Sequence, residues 1–262
     1  MSTVAPGGVP LVLAWSLLVA LAALLGSFLN VCISRLPRGE SIVSPPSHCP
    51  GCKTPIRFYD NVPLLSFLLL RGRCRTCRTA ISWRYPIVEG LAVLVGALVL
   101  WQLGPTWAGL RAFLLGLSLI AVTFIDLETQ LIPDRVTLPG ILVGLALSLY
   151  PTPRGLLWAV IGCLAAGGLF YLIAVVSEKL MGQEGMGGGD VKLAGMLGAF
   201  LGWPMVLVAV FLAVMAGGLG AVVLLVLRRK GRRDEIPFGP CLALGGLLAA
   251  LWGEPLLAWY LG

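Results

Sequence analysis

Charge is scarce in this sequence: Asp, Glu, Lys and Arg together make up 12% of its 262 residues, and histidine occurs once. With 58% hydrophobic residues and a mean hydropathy of +0.94, there is too little polar side chain to coat a water-soluble domain of this length. That excludes a soluble globular protein and places the chain in a bilayer. No basic n-region precedes the first apolar run, so Leu11 to Val31 reads as a retained spanning helix and not as a cleaved signal peptide. The glycine-rich stretch at 185–189 lacks the Lys-Ser/Thr ending of a P-loop, and no strand precedes it to make a dinucleotide fingerprint. The formal charge of +7 comes without a recognised nucleic-acid-binding fold, so nucleic acid is not an expected partner. Seven cysteines form no oxidised framework, and there is neither an exact internal repeat nor a low-complexity tail.

What remains is apolar and helical. Candidate spans cover 11–31, 86–103, 109–127, 136–150, 155–176, 191–203, 205–227 and 238–252, giving an all-α polytopic membrane protein of about eight transmembrane helices. The segments at 136–150 and 191–203 are short for a full crossing and suit helices that end inside the protein or border a polar cavity. Three parts follow: a first transmembrane helix at 1–31, a loop domain at 32–85 and a membrane-embedded domain at 86–262. Residues 32–84 carry nine Lys or Arg against two Asp or Glu, and "RRKGRR" after the seventh span adds five more basic residues. By the positive-inside rule both face the cytoplasm, together with 128–135 and 177–190, while both chain ends face outward. The basic loops also suit anionic lipid.

Two of the few acids share an address. Asp126, in "FIDLETQLIPDR", follows a long apolar run at the cytoplasmic end of the third span, and Asp190, in "GQEGMGGGDVKLAG", opens the sixth. Separated by 64 positions, they meet only through tertiary packing. Acids at membrane depth are costly and mark cavities or function. If the carboxylates face one another, like-charge repulsion and desolvation leave one proton between them: one member then removes a proton from water while the other donates to a peptide carbonyl. Taken singly, Asp190 is equally suited to capping its helix, and Asp126 to an interfacial helix end.

The loop holds "CPGC" and "CRTC", with Cys49, Cys52, Cys74 and Cys77 in the pattern C-x2-C-x21-C-x2-C. That spacing suits a tetrahedral site with four thiolates and no open position, hence a structural zinc that orders the loop. Redox pairs, unliganded thiols and an iron–sulphur cluster are the other readings, and a cytoplasmic loop disfavours stable disulfides. His48, beside the first pair, is expected to be exposed or to lie behind the ligands.

The segments "GSFLNVCISRLPRGESI", "HCPGC", "CRTC", "ISWRYPIVE", "DLETQLIPD" and "GMGGGDVKL", in this order and across nearly the whole chain, resemble the type 4 prepilin peptidase family of bifunctional prepilin leader peptidase/N-methyltransferases. The resemblance implies that Asp126 and Asp190 are the catalytic aspartates. It further implies cleavage of the basic leader of type IV prepilins or pseudopilins after Gly, at the cytoplasmic face of the bacterial inner membrane, with S-adenosylmethionine methylating the new amino terminus. Substrate contacts are expected from Glu128, Asp134, Glu184 and Lys192. No sequence signature places the methyl donor; Asn30, Arg35, Glu40, Arg84 and Glu89 are polar candidates near the loop and helix mouths.

Residues 126–135 and 178–192 carry six acids against three bases, a local excess of three negative charges that would guide a basic leader past the otherwise basic surface. Outside the family reading, the two acids also suit a proton-coupled transporter, and the cysteine loop a scaffold of a secretion system. The oligomeric state is not legible.

Overall fold

The computed structural model describes residues 11–181, 187–226 and 237–262. The described elements are helical throughout: α1 (Leu11–Arg35), α2 (Leu65–Leu69), α3 (Arg84–Leu103), α4 (Trp107–Thr129), α5 (Asp134–Leu147), α6 (Pro153–Met181), α7 (Gly188–Leu201), α8 (Met205–Val226) and α9 (Gly239–Leu261). Among the described residues, α1, α3, α4, α6, α8 and α9 are long and apolar enough to cross a membrane. The remaining two apolar segments, α5 and α7, have 14 residues each, about 21 Å of helix, well short of a hydrocarbon core of about 30 Å. Large side chains such as Leu164, Leu172, Phe211 and Leu219 stand exposed along α6 and α8, a surface suited to lipid and not to water.

The chain divides into two compact units, 1–109 and 110–262. In the first, α1 packs on α3, and the cysteine loop lies between them in sequence. A short 3-10 turn, Leu36–Arg38, stops α1, closed by Gly39 at φ 70°.

In the second unit α7 is the axis. Every residue from Leu193 to Phe200 is buried, so this helix has no lipid-facing side and its short length leaves no end exposed to hydrocarbon. It packs antiparallel to α6, where Gly162 and Gly198 meet backbone to backbone with no room for a Cβ on either. It runs parallel to α5: Asp134 reaches Lys192, Gly140 lies on Met196, and Gly144 lies on Phe200. Leu115, Leu119 and Val122 of α4, Phe170 of α6, Leu193 and Leu197 of α7, Val206 of α8 and Leu242 of α9 make a common core.

Inside such a core the last carbonyls of α5 and α7 need donors. Arg111, near the start of α4, supplies them: its guanidinium donates to Phe200 O and, at 3.1 Å, to Ser148 Oγ, and Ser148 Oγ in turn donates to Gly144 O and lies 3.2 Å from Ala199 O.

Helix α9 continues nine residues past the expected stop at 252, through Glu254 and Pro255. Hydropathy ends at the first charge and proline, whereas the backbone does not; the added turns carry the exposed Trp259 and Tyr260, residues that favour a membrane–water interface. The "RRKGRR" stretch lies outside the described residues.

Candidate active site and cysteine cluster

Asp126 occupies the last turn of α4, which ends when Gln130 enters a left-handed conformation at φ 53°. Its side chain points inward and is only 5% exposed. The amide of Gly239, first residue of α9, donates to Asp126 Oδ2 at 3.1 Å. A carboxylate thus sits on the positive end of a 23-residue helix, an arrangement that favours an anion. Gly239 is required by sterics: a Cβ there would lie 2.5 Å from Asp126 Oδ2 and 3.0 Å from Cγ.

Asp190 lies in the first turn of α7, whose N-cap position is taken by Gly187. Asp190 is half-buried, its Oδ1 has no hydrogen-bond partner among the described residues, and it lies within reach of the Asp126 charge. Gly189 brings α7 against the loop after α4, since a Cβ on it would lie 2.7 Å from Ile132 Cβ. The tertiary fold therefore brings Asp126 and Asp190 into one neighbourhood. An unpartnered acceptor on one acid and a helix-held oxygen on the other leave the two carboxylates in unequal surroundings.

The expected substrate contacts divide. Glu128 is exposed on the final turn of α4. Asp134 is the first residue of α5 and pairs with Lys192 at 2.5 Å, both partly exposed, so their charges offset one another. Glu184 lies outside the described residues. Gly239 is the residue that sequence reading missed. Its signal was Pro240 in the first turn of α9, since proline there marks a helix start, and a start beside an acid marks a ready donor.

In the first unit, the Sγ atoms of Cys49, Cys52, Cys74 and Cys77 all lie within 4.8 Å of one another. The Cys49–Cys77 pair is 3.7 Å apart and the Cys52–Cys74 pair 4.0 Å. Ligands about 2.3 Å from a tetrahedral metal stand about 3.8 Å apart, so the cluster fits such an ion.

Two matching turns build it. Cys49 N donates to Thr54 O and Lys53 N to Cys49 O; Cys74 N donates to Thr79 O and Arg78 N to Cys74 O. Lys53 and Arg78 both take positive φ, 57° and 62°. The sequence signal is a degenerate repeat, C-x-x-C-[KR]-T-x-I, at 49–56 and 74–81, hidden from any search for identity. Hydrogen bonding by the Thr79 side chain pushes the Cys77 thiol down to about 6, and Thr54 lowers Cys52 in the same way, while Cys49 in the same cluster is pushed up to about 11. Arg75 holds the loop from outside by a forked contact to both Asp60 oxygens, 2.6 to 3.1 Å. His48 is exposed, with Nδ1 3.3 Å from Pro46 O.

Comparison with known proteins covers both units. Residues 20–103 match the Bacterial Peptidase A24 N-terminal domain, and residues 113–222, which include both aspartates, match the Type IV leader peptidase family. The chain is 40% identical to the prepilin leader peptidase/N-methyltransferase of Aeromonas hydrophila over 271 residues, 94% of this chain and 93% of that one. It is 38% identical to the protein of that name from Neisseria gonorrhoeae (94% and 91% covered) and 36% identical to that of Pseudomonas aeruginosa (93% and 92%). No solved structure matches the chain.

Proposed function

The chain belongs to the type IV leader peptidase family, and we propose that it cleaves the basic leader of type IV prepilins or pseudopilins with Asp126 and Asp190 and then N-methylates the new terminus. The observation that supports the peptidase reading is that two acids distant in sequence lie close enough for their charges to interact, one held by the Gly239 amide and the other with a buried oxygen that has no partner among the described residues.

The pair shares one proton, because two adjacent carboxylates in a low-dielectric pocket do not both ionise readily. The ionised member takes a proton from water, whose oxygen adds to the scissile carbonyl carbon while the protonated member donates to the carbonyl oxygen. Collapse breaks the C–N bond, the departing nitrogen takes up a proton, and a leader ending in a Gly carboxylate separates from a mature chain beginning with an amine. The protons belong to the pair as a unit.

The site faces the cytoplasm of the inner membrane, where a substrate presents its cleavage point just before its own apolar helix; the basic loops support that orientation. Glu128 and Glu184 guide the leader, since Lys192 offsets Asp134. Neutralising both glutamates slows processing at low salt and much less at high salt; unchanged low-salt processing would contradict steering.

The four thiolates hold zinc, whose preferred geometry the sulphur spacings suit, and the metal orders the loop without an open position for water. S-adenosylmethionine, when bound, supplies a methyl group: an N–C bond forms on the amine, the C–S bond breaks to a neutral thioether, and one proton leaves the nitrogen.

A mass-resolved assay on a purified Gly-Phe precursor tests the reading. Wild-type protein gives loss of the leader, and a further gain of one methyl only when the donor is present. Asp126→Asn and Asp190→Asn each abolish leader loss while remaining folded; cleavage by either variant at the wild-type rate would refute the pair.

A further inference from the structure

The loop of the first unit carries apolar side chains that its own fold does not cover. The inner side of the short helix α2 is engaged: Ser66, buried, donates from Oγ to Tyr59 O and accepts the Val62 amide, each at 3.1 Å. Phe67 packs on Trp83 with ring centroids 5.1 Å apart and covers Gly72, where a Cβ would lie 3.0 Å from its ring. The outer side is bare. Leu68 is 71% exposed, Leu69 73% and Trp83 71%, with Leu65 exposed beside them, an apolar patch of the kind that marks an interaction surface.

One hydrogen bond sets the height of this patch. The Leu64 amide, just before α2, donates to Glu89 Oε2 at 2.7 Å, and Glu89 stands about 7.5 Å of helix inside α3. Helix α3 is long and apolar enough to cross a membrane, and Trp83 immediately precedes it. A helical side chain leans toward the start of its helix, so α2 begins alongside the first two turns of α3 and not beyond its end. That level is where headgroups give way to acyl chains: an interfacial helix sinks its apolar face about 5–10 Å there, and tryptophan favours the same boundary.

Basic groups stand where such a helix needs them. Phe67, Leu68, Ile81 and Trp83 line a cavity of about 390 Å³ together with Arg71 and Arg73, both exposed and neither in an ion pair among the described residues. An apolar lining interrupted by two guanidinium groups matches a phospholipid, acyl chain against the rings and anionic phosphate against the arginines. The same arginines would repel the basic leader of the proposed substrate, which argues against a precursor as the occupant.

We propose that Leu65, Leu68, Leu69 and Trp83 dip into the leaflet that the loop faces, and that Arg71 and Arg73 hold the phosphate of an acidic phospholipid there. The cysteine loop is then fastened to the bilayer at a point of its own, besides α1 and α3, independently of the reaction the protein performs.

The test is a photochemical one on the full chain in a bilayer. Protein carrying the photoreactive residue p-benzoyl-phenylalanine at position 68 or 69, both exposed and so able to take its bulk, is reconstituted in nanodiscs of phosphatidylcholine and phosphatidylglycerol in equal amounts. After irradiation, adducts are identified by mass. Lipid adducts form at both positions, and phosphatidylglycerol exceeds phosphatidylcholine by about fivefold or more, the preference expected from one or two arginines near the surface. Combining Arg71→Gln with Arg73→Gln brings that ratio close to one while the total lipid yield persists. Absence of lipid adducts at both positions overturns the proposal. So do adducts that form only with an added precursor peptide, which would make the patch a docking face for protein. Equal yields from the two lipids in the arginine-bearing protein, or a ratio that the double substitution leaves unchanged, overturn the acidic-lipid assignment.

Discussion

At the scale of single residues, the tightest constraint on the site is a missing methyl group. Gly239→Ala puts a carbon where Asp126 Oδ2 now receives its hydrogen bond, so the carboxylate must turn or α9 must retreat. Displacement of a reacting group by about 1 Å costs on the order of a hundredfold in rate. Precursor cleavage by Gly239→Ala should therefore fall by about ten- to a hundredfold, with substrate KM nearly unchanged and helical circular dichroism intact; a wild-type rate would show that this contact does not matter. Asp60 offers a pH prediction. The Arg75 guanidinium, first by hydrogen bonding and then by its charge, holds this carboxyl below the usual carboxylate range. A depressed acid stabilises the fold above its unfolded value of about 4, and that contribution is lost as pH falls through the folded value. The thermal midpoint of wild type should exceed that of Asp60→Asn at pH 6, and the difference should close below about pH 4. Residue types carried much of this into the sequence: two acids among long apolar runs, and four cysteines in pairs. Gly239 did not show, because its role is an amide pointed across 113 positions of chain, and any residue but proline has an amide. The Lys192–Asp134 contact was open for a similar reason, since a lysine after an acid has many possible partners and packing alone chose one.

At the scale of elements, hydropathy located every long helix but misjudged the ends where polar residues continue a helix, as at Arg35 in α1 and Glu254 in α9. It also marked 136–150 and 191–203 as short. Their placement was not legible, because α7 is buried on all sides through glycine contacts with α6 that carry no hydrophobic period. Arg111 shows what such burial requires. Replacing it with Met keeps much of the volume but strips donors from Phe200 O and Ser148 Oγ, so the ends of α5 and α7 lose their cap. Leaving buried acceptors unpaired costs about 1–3 kcal/mol each. Arg111→Met should lower the thermal midpoint in detergent by several degrees, and an unchanged midpoint would mean that water replaces the guanidinium.

At the scale of the whole molecule, family likeness extends over both compact units, yet each is ordered differently: the second by a continuous apolar core, the loop of the first by short turns around four sulphurs. Among the described residues, its only bridges are the isolated pairs His48–Pro55 and Arg73–Ala80. With a metal held by the four thiolates as proposed, treatment with a strong chelator should expose the loop to trypsin near Lys53, Arg71 and Arg78, while fragments from 110–181 and 187–226 stay protected; equal resistance with and without chelator would assign the loop's order to something else. The two 14-residue helices carry a broader consequence. Along α4, Arg111 and Asp126 are 15 residues apart, about 22 Å, the same length as α5 and α7, whose C-terminal ends meet the arginine while α7 begins at the aspartate. Where full-length neighbours are long enough to traverse the oil, these two stop early. On the proposed function that early stop has a use: hydrolysis needs two reactants, a greasy helix delivers only one of them, and two short helices leave water a shorter way to the acids.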